Sequence, residues 1–270
     1  MTIRSWNGPV AVPVRTAAPE GATNAYVVDD REALLVDPAA SHEGLDRVLA
    51  DVEVGHVAVT HHHPDHVGAV AHAAERTGAT VWGRAGREDD FERATGIAPD
   101  RTFREGTTIA TGNGAVTVLD LPGHAPEHVG FAFETATGEH LLCGDLAVAE
   151  GSVVVGAPEG DVRAYLASLR RVHARAPHRL LPGHGPPIEG AREVRAVARR
   201  LVDHRREREA RVLAAVRGGA GTVPEVTDAA YEKDVSAVRP LAEATVRAHL
   251  EKLAVEGRLD WDGERATTVE

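Results

Sequence analysis

Over the first two thirds of the chain, short β-branched and apolar runs alternate with stretches of helical periodicity. Residues 25–29 and 33–37 are predicted as two strands around an acidic turn, and residues 45–52 as a short helix. Residues 56–60 form an apolar strand that runs directly into a cluster of histidines. After it, residues 65–77 have helical composition and stop at Gly78. Residues 80–82 add a short strand. Strand signals dominate the middle, where residues 115–119, 129–134 and 139–143 are each bounded by Gly, Pro or Asn. Residues 161–174 place Val162, Tyr165, Leu166 and Leu169 at helical spacing, and residues 179–181 form a last strand before Gly183-His184-Gly185.

From about Ile188 the pattern changes. Residues 189–217 read as one long, arginine-rich polar helix ended by Gly218-Gly219. Residues 222–231 follow as a helix opened by Thr222 and Pro224. Residues 240–256 carry Val246, Leu250 and Leu253 on one helical face and stop at Gly257. Asp262-Gly263, between two short alternating stretches, is a hairpin signal. Three helices and a hairpin suggest a small winged-helix module. The chain is therefore expected to divide into residues 1–190 and residues 191–270, the latter a linker helix with a winged-helix-like domain.

Charge and composition narrow the classes. A formal net charge of −11 argues against general attraction to nucleic acid or acidic lipid. Cys143 is the single cysteine, so no intrachain disulfide can form. Pro9 and Pro13 interrupt a start that lacks a long apolar run, and no membrane span is visible, so a cytoplasmic location is expected. Residues 223–270 hold eleven acidic and six basic side chains, which argues against duplex DNA as a partner of the tail. Because winged helices often bind DNA, a nucleic-acid-binding regulator is the non-enzyme alternative, although only residues 188–217, with nine arginines against five acids, are basic. The tail is otherwise read as a lid or wall of the active site, or as a homodimer contact.

The candidate chemistry sits in His61-His62-His63-Pro64-Asp65-His66, four histidines within six residues at the end of a strand. Loops at strand ends are where α/β proteins gather their sites. Imidazole and carboxylate are the groups zinc takes when thiolates are absent, and His61, His63, Asp65 and His66 supply them. Three further residues, His124, Asp145 and His184, each lie beside a glycine after an apolar strand. Asp37, at a strand end, is a candidate partner for a ligand histidine, or a turn carboxylate. His128 is either packed behind the site or on the surface, His62 lines the pocket or faces solvent, and Cys143 is expected to be buried and inert.

This ordered set resembles the metallo-β-lactamase-fold hydrolases over roughly residues 20–190. The resemblance implies a four-layer αββα sandwich. It places His61, His63 and His124 on one metal and Asp65, His66 and His184 on a second, with Asp145 bridging. Two zinc ions are expected, with manganese or iron as alternatives. A hydroxide shared between the metals would be the nucleophile, oriented by Asp65 and Asp145. The tail, the turn Pro182-Gly183-His184-Gly185 and the stretch from Gly144-Asp145-Leu146 to Glu150-Gly151-Ser152 are similar to the β-lactamase-like protein 2 group. That group includes a single-strand-specific endoribonuclease, and relatives act on thioesters. Histidine at 63 and aspartate at 145 depart from the oxygen-reducing and antibiotic-cleaving branches respectively.

The expected activity is hydrolysis of an ester-type bond. The resemblance tilts toward single-stranded RNA, with a small-molecule thioester or a lactone as the alternative. Residues 146–161 contain Glu150, Glu159 and Asp161 but no lysine or arginine, unlike the basic segment with which glyoxalase II enzymes hold glutathione. Arg84 and Arg87 are the candidates for meeting a phosphate or carrier group.

Overall fold

The structure is a computed structural model that describes residues 10–14 and 21–269. One six-stranded sheet runs in the order β1 (Val10–Pro13), β2 (Ala22–Val28), β3 (Ala33–Val36), β4 (Val54–Ala58), β5 (Thr80–Arg84) and β6 (Arg101–Phe103). Its first three strands are antiparallel and β3 to β6 are parallel. The second sheet comprises β7 (Thr108–Thr111), β8 (Gly114–Asp120), β9 (Val129–Thr135), β10 (Gly138–Gly144), β11 (Arg179–Pro182) and β12 (Ile188–Glu189). There only β10 and β11 pair in parallel.

Side-chain alternation along each strand builds four layers. Leu34 and Val36 point between the sheets, where they meet Phe131, Leu142 and Leu181, while Leu35 points outward. Helices α1 (Glu43–Asp51), α2 (Pro64–Val67), α3 (Val70–Thr77) and α4 (Glu88–Thr95) supply Leu45, Val48, Val67, Val70 and Phe91 to that outer face. On the second sheet Leu141, Cys143 and Leu180 face α5 (Val162–Arg175) and α6 (Ala191–Arg217), opposite in sense to Leu142 and Leu181. The result is a mixed α/β sandwich, helix on sheet on sheet on helix.

The helix expected over residues 65–77 is two helices. At the break Ala69 N–H donates to Pro38 O at 2.8 Å, so the chain turns against the loop after β3 before α3 begins. Helix α6 is continuous and serves two cores. Val194, Val197 and Leu201 pack on the second sheet's outer layer. Val212, Leu213 and Val216 pack instead with α7 (Val223–Ala230), α8 (Arg239–Val255) and the hairpin of β13 (Asp260–Trp261) and β14 (Ala266–Thr267). Among the described residues no helix is long and apolar enough to cross a membrane.

The topology also positions the site. Strands β3 and β4 are parallel, and β8, β10 and β11 share one direction, so each group of strands ends on one side of its sheet. The residues just past those ends are Asp37, the histidine cluster, His124, Asp145 and His184.

Candidate metal centre

Beyond β4 the chain is held by Asp37, whose Oδ1 accepts from Thr60 N–H at 2.7 Å and whose Oδ2 accepts from Thr60 Oγ1 at 2.8 Å. His63 then caps α2, and Pro64 at the first helical position starts the turn that carries Asp65 and His66. Two glycines are required by close approach. A Cβ on Gly183 would lie 2.6 Å from Asp145 Oδ1 and 2.7 Å from His66 Cε1. At Gly144 (φ +47°) it would lie 2.6 Å from Thr60 Oγ1. Asn24 Nδ2 donates to Pro182 O and Gly185 O, and Tyr26 Oη donates to Pro182 O, tying the turn before His184 to the first sheet.

The seven residues converge as two groups with Asp145 between them. His61 Nε2 lies 3.0 Å and His124 Nε2 2.9 Å from His63 Nδ1. His184 Nε2 lies 3.6 Å from Asp65 Oδ2, and within 4.8 Å these atoms form a second potential ligand group with His66. Asp145 faces both groups: Oδ1 is 3.4 Å from His66 Nε2 and 3.5 Å from His184 Nε2, while Oδ2 is 3.6 Å from His124 Nε2.

The outer nitrogen of each ring is already engaged. His61 Nδ1 donates to Thr60 Oγ1 at 3.0 Å, itself a donor to Asp37. His66 Nδ1 donates to Asp37 Oδ2 at 3.0 Å, His124 Nδ1 to Val154 O at 2.7 Å, and His184 Nδ1 to Ala22 O at 2.8 Å. His63 Nε2 donates to Glu159 Oε2 at 3.0 Å. These partners set the ring orientations, so each inner nitrogen faces the centre and, when it is not protonated, presents a lone pair there.

Electrostatics follow from this enclosure. Burial, reinforced by His66 and His124, holds His61 well below the usual histidine range, and burial also lowers His124. For His66 burial works against the cation, yet Asp37 and Asp145 raise it well above the usual range. His184 is likewise raised against the effect of burial, by Asp145. Burial disfavours the Asp145 carboxylate, but His66 and His184 hold it well below the usual carboxylate range.

A divalent cation fits this donor set. Lone pairs 2.9–3.0 Å apart repel unless a cation lies between them. His66 Nε2 and Asp145 Oδ1 are buried with no hydrogen-bond partner, a costly state that a coordinated ion removes.

Other sequence expectations fall variously. Asp37 does partner a candidate ligand, His66. His128 is fully buried, its Nδ1 donating to Leu121 O and its Nε2 accepting from Asp145 N–H, and burial drops it to about 3. His62 does not line the central cavity; its ring meets Phe91 edge-on and its backbone N–H donates to Glu127 Oε1. Asp120 clamps Arg84 with both oxygens, which engages it away from a phosphate, and Arg87 makes an exposed surface pair with Asp90; neither lines the central cavity. Sequence reasoning missed Thr60, Glu127 and Glu159, which carry no local pattern of their own.

The model of the Metallo-beta-lactamase superfamily matches residues 18–184. A hydroxyacylglutathione hydrolase of Methylococcus capsulatus is 36% identical over 198 residues, covering 71% of this chain and 72% of that protein. A beta-lactamase-like protein 2 homolog of Caenorhabditis elegans is 25% identical over 248 residues, 87% of this chain and 79% of its own. A solved metallo-beta-lactamase family protein from Thermus thermophilus shares the fold at TM-score 0.76 and 24% identity, over 97% of this chain and 99% of that one.

Proposed function

The chain belongs to the metallo-beta-lactamase superfamily and is a metal-dependent hydrolase, and on that premise we propose that it uses two zinc ions to open an acyl thioester. His61, His63 and His124 would hold one ion and Asp65, His66 and His184 the other, with Asp145 shared. Imidazole and carboxylate donors alone suit zinc, and manganese or iron accept the same set. Bound there, the ions supply a water acidified to near neutrality and a Lewis acid for the substrate oxygen. Asp65 and Asp145 accept hydrogen bonds from the attacking water and orient it. Thr60, Asp37, Glu159 and the carbonyls of Ala22 and Val154 keep the rings from turning. No side-chain nucleophile is needed: Cys143 is buried beside the site and burial pushes its thiol far up.

One observation carries the choice of substrate. A cavity of about 970 Å³ opens from His63, Asp65, His124, Asp145 and His184. Its remaining wall includes Val148, Val153, Val154, Ala157, Pro158 and Leu241, its further charged groups are Glu150 and Glu159, and no lysine or arginine lines it. A polyanionic RNA strand needs clustered cations along its path. An apolar acyl group does not, so the cavity favours the thioester over the RNA reading that the sequence resemblance suggested. The relative from Methylococcus capsulatus, named for a glutathione thioester, supports the same bond type. The lack of cations between Leu146 and Asp161 supports a carrier other than glutathione.

The tail fits a wall better than a nucleic-acid reader. Arg200 on α6 donates to Val148 O, Ala149 O and Gly151 O, and the buried Arg205 donates to Val153 O. These arginines hold the cavity loop by its carbonyls. The test is a side-by-side assay of zinc-loaded protein with an uncharged acyl-N-acetylcysteamine thioester, lactoyl-glutathione and a single-stranded RNA. Turnover of the N-acetylcysteamine thioester is expected; RNA cleavage without thioester hydrolysis would contradict the reading.

A further inference from the structure

The cavity wall comes from two parts of the chain that are distant in sequence. Residues 148–159 form one side, and Leu241 and Ala244 of α8 form another. The two sides are joined directly, since Ala157 N–H donates to Ala244 O at 3.0 Å. Behind them, Arg205 is 2% exposed, lies over the Tyr165 ring at 5.3 Å and holds Val153 O. The loop is therefore joined to the tail by backbone and side-chain contacts. Leu241 is one of few large apolar side chains left exposed, at 40%, and it faces the same cavity as the metal-ligand candidates. An apolar side chain exposed on a cavity wall gains most from an apolar ligand that covers it.

We propose that α8 is the specificity element of this hydrolase, with Leu241 and Ala244 selecting the length of an apolar acyl chain. The proposal rests on the thioester reading above. Helix α8 also belongs to the core formed with α6 and α7, so the wall is rigid and its reach is set by the side chain at position 241. A larger residue there shortens the space available to the chain, and a charged one makes the wall unfavourable to it.

The experiment compares kcat/KM for N-acetylcysteamine thioesters from acetyl to octanoyl in the native protein, Leu241→Arg and Leu241→Trp, with thermal denaturation to verify folding. In the native protein kcat/KM should rise roughly three- to fourfold for each methylene covered, the scale of apolar transfer. Leu241→Arg should lower the octanoyl-to-acetyl ratio at least tenfold, and Leu241→Trp should move the preferred length to shorter chains. The same profile in all three proteins would overturn the proposal and leave the thioester reading intact. Calorimetric binding of the matching S-alkyl thioethers, which cannot be hydrolysed, separates the two ideas. Length-dependent thioether binding lost in Leu241→Arg, with no thioester turnover, would uphold the specificity wall and sink the reaction.

Discussion

Five histidines at the centre each give one nitrogen to a hydrogen-bond partner and turn the other inward. The arrangement makes the partners as consequential as the ligands. Asp37→Asn keeps the size of the side chain but offers Thr60 and His66 one acceptor instead of two. Metal affinity, read by titration against a chelator, should fall by about 10–100-fold, the usual effect of losing such a partner. Asp145→Asn should act differently. Its carboxylate faces both ligand groups, and an amide cannot offset the charge of two cations. Turnover of the best thioester should drop by on the order of 100-fold or more, while the denaturation midpoint moves little. Native turnover in this variant would remove Asp145 from its bridging role. The ligand candidates were legible in the sequence because histidines crowd residues 61–66 and glycines flank residues 124, 145 and 184. Thr60, Glu127 and Glu159 were not, since a single threonine or glutamate acquires meaning only when the fold brings it to a ring or a backbone amide.

At the scale of elements, the joints between sheets decide how well the strand ends stay aligned. Asp29, just past β2, accepts from Asp30 N–H at 2.8 Å, Asn113 N–H at 2.7 Å and Asn113 Nδ2 at 2.6 Å. It thereby ties the β2–β3 turn to the β7–β8 turn. Burial opposes its charge, but the donors from Asp30 and Asn113 prevail and lower its pKa. A carboxyl titrating lower in the folded state than its unfolded value of about 3.9 stabilises the fold above that value. The contribution is lost as pH falls through the folded pKa. Asp29→Asn should therefore cost about 1–3 kcal/mol at pH 7 in urea denaturation, and the difference from the native protein should shrink toward pH 3. An equal difference at both pH values would show that the charge is immaterial. The longer strands followed from apolar runs bounded by turn residues. Strands β1, β6, β7 and β12 are the edge strands of the two sheets and are largely exposed, so they carry no long apolar run, and Pro13 is tolerated on the β1 edge, where a proline reads as an interruption. The break at Ala69 was illegible because its cause is a carbonyl on the far side of a loop, Pro38 O.

Across the whole molecule, the tail and the sandwich share α6, and the arginines of that helix face inward as well as outward. Arg205 and Arg208 are buried, the latter 3.7 Å over the Tyr231 ring, and Arg200 is committed to loop carbonyls. From the sequence alone the winged-helix pattern was the ground for a nucleic-acid regulator, with residues 188–217 as the one basic region; that Arg200 and Arg205 are engaged by the cavity loop depends on tertiary packing. With −11 net charge and those arginines engaged, the 270-residue chain should not retard a duplex DNA at physiological salt, and tight binding in a mobility-shift assay would restore the regulator. The strand-end site was expected from motif order and the four-layer sandwich from the family resemblance; the tail was expected as a lid, a wall or a dimer contact, and which of its residues reach the cavity, Leu241 and Ala244, was set by tertiary packing. Whether seven side chains hold two metal ions is tested most directly by metal analysis of protein purified without chelator, incubated with excess zinc and dialysed free of unbound metal. About two equivalents per chain are predicted, because seven nitrogen and oxygen donors exceed one tetrahedral site. A stoichiometry that stays at one or below after incubation with excess zinc would contradict the two-metal reading.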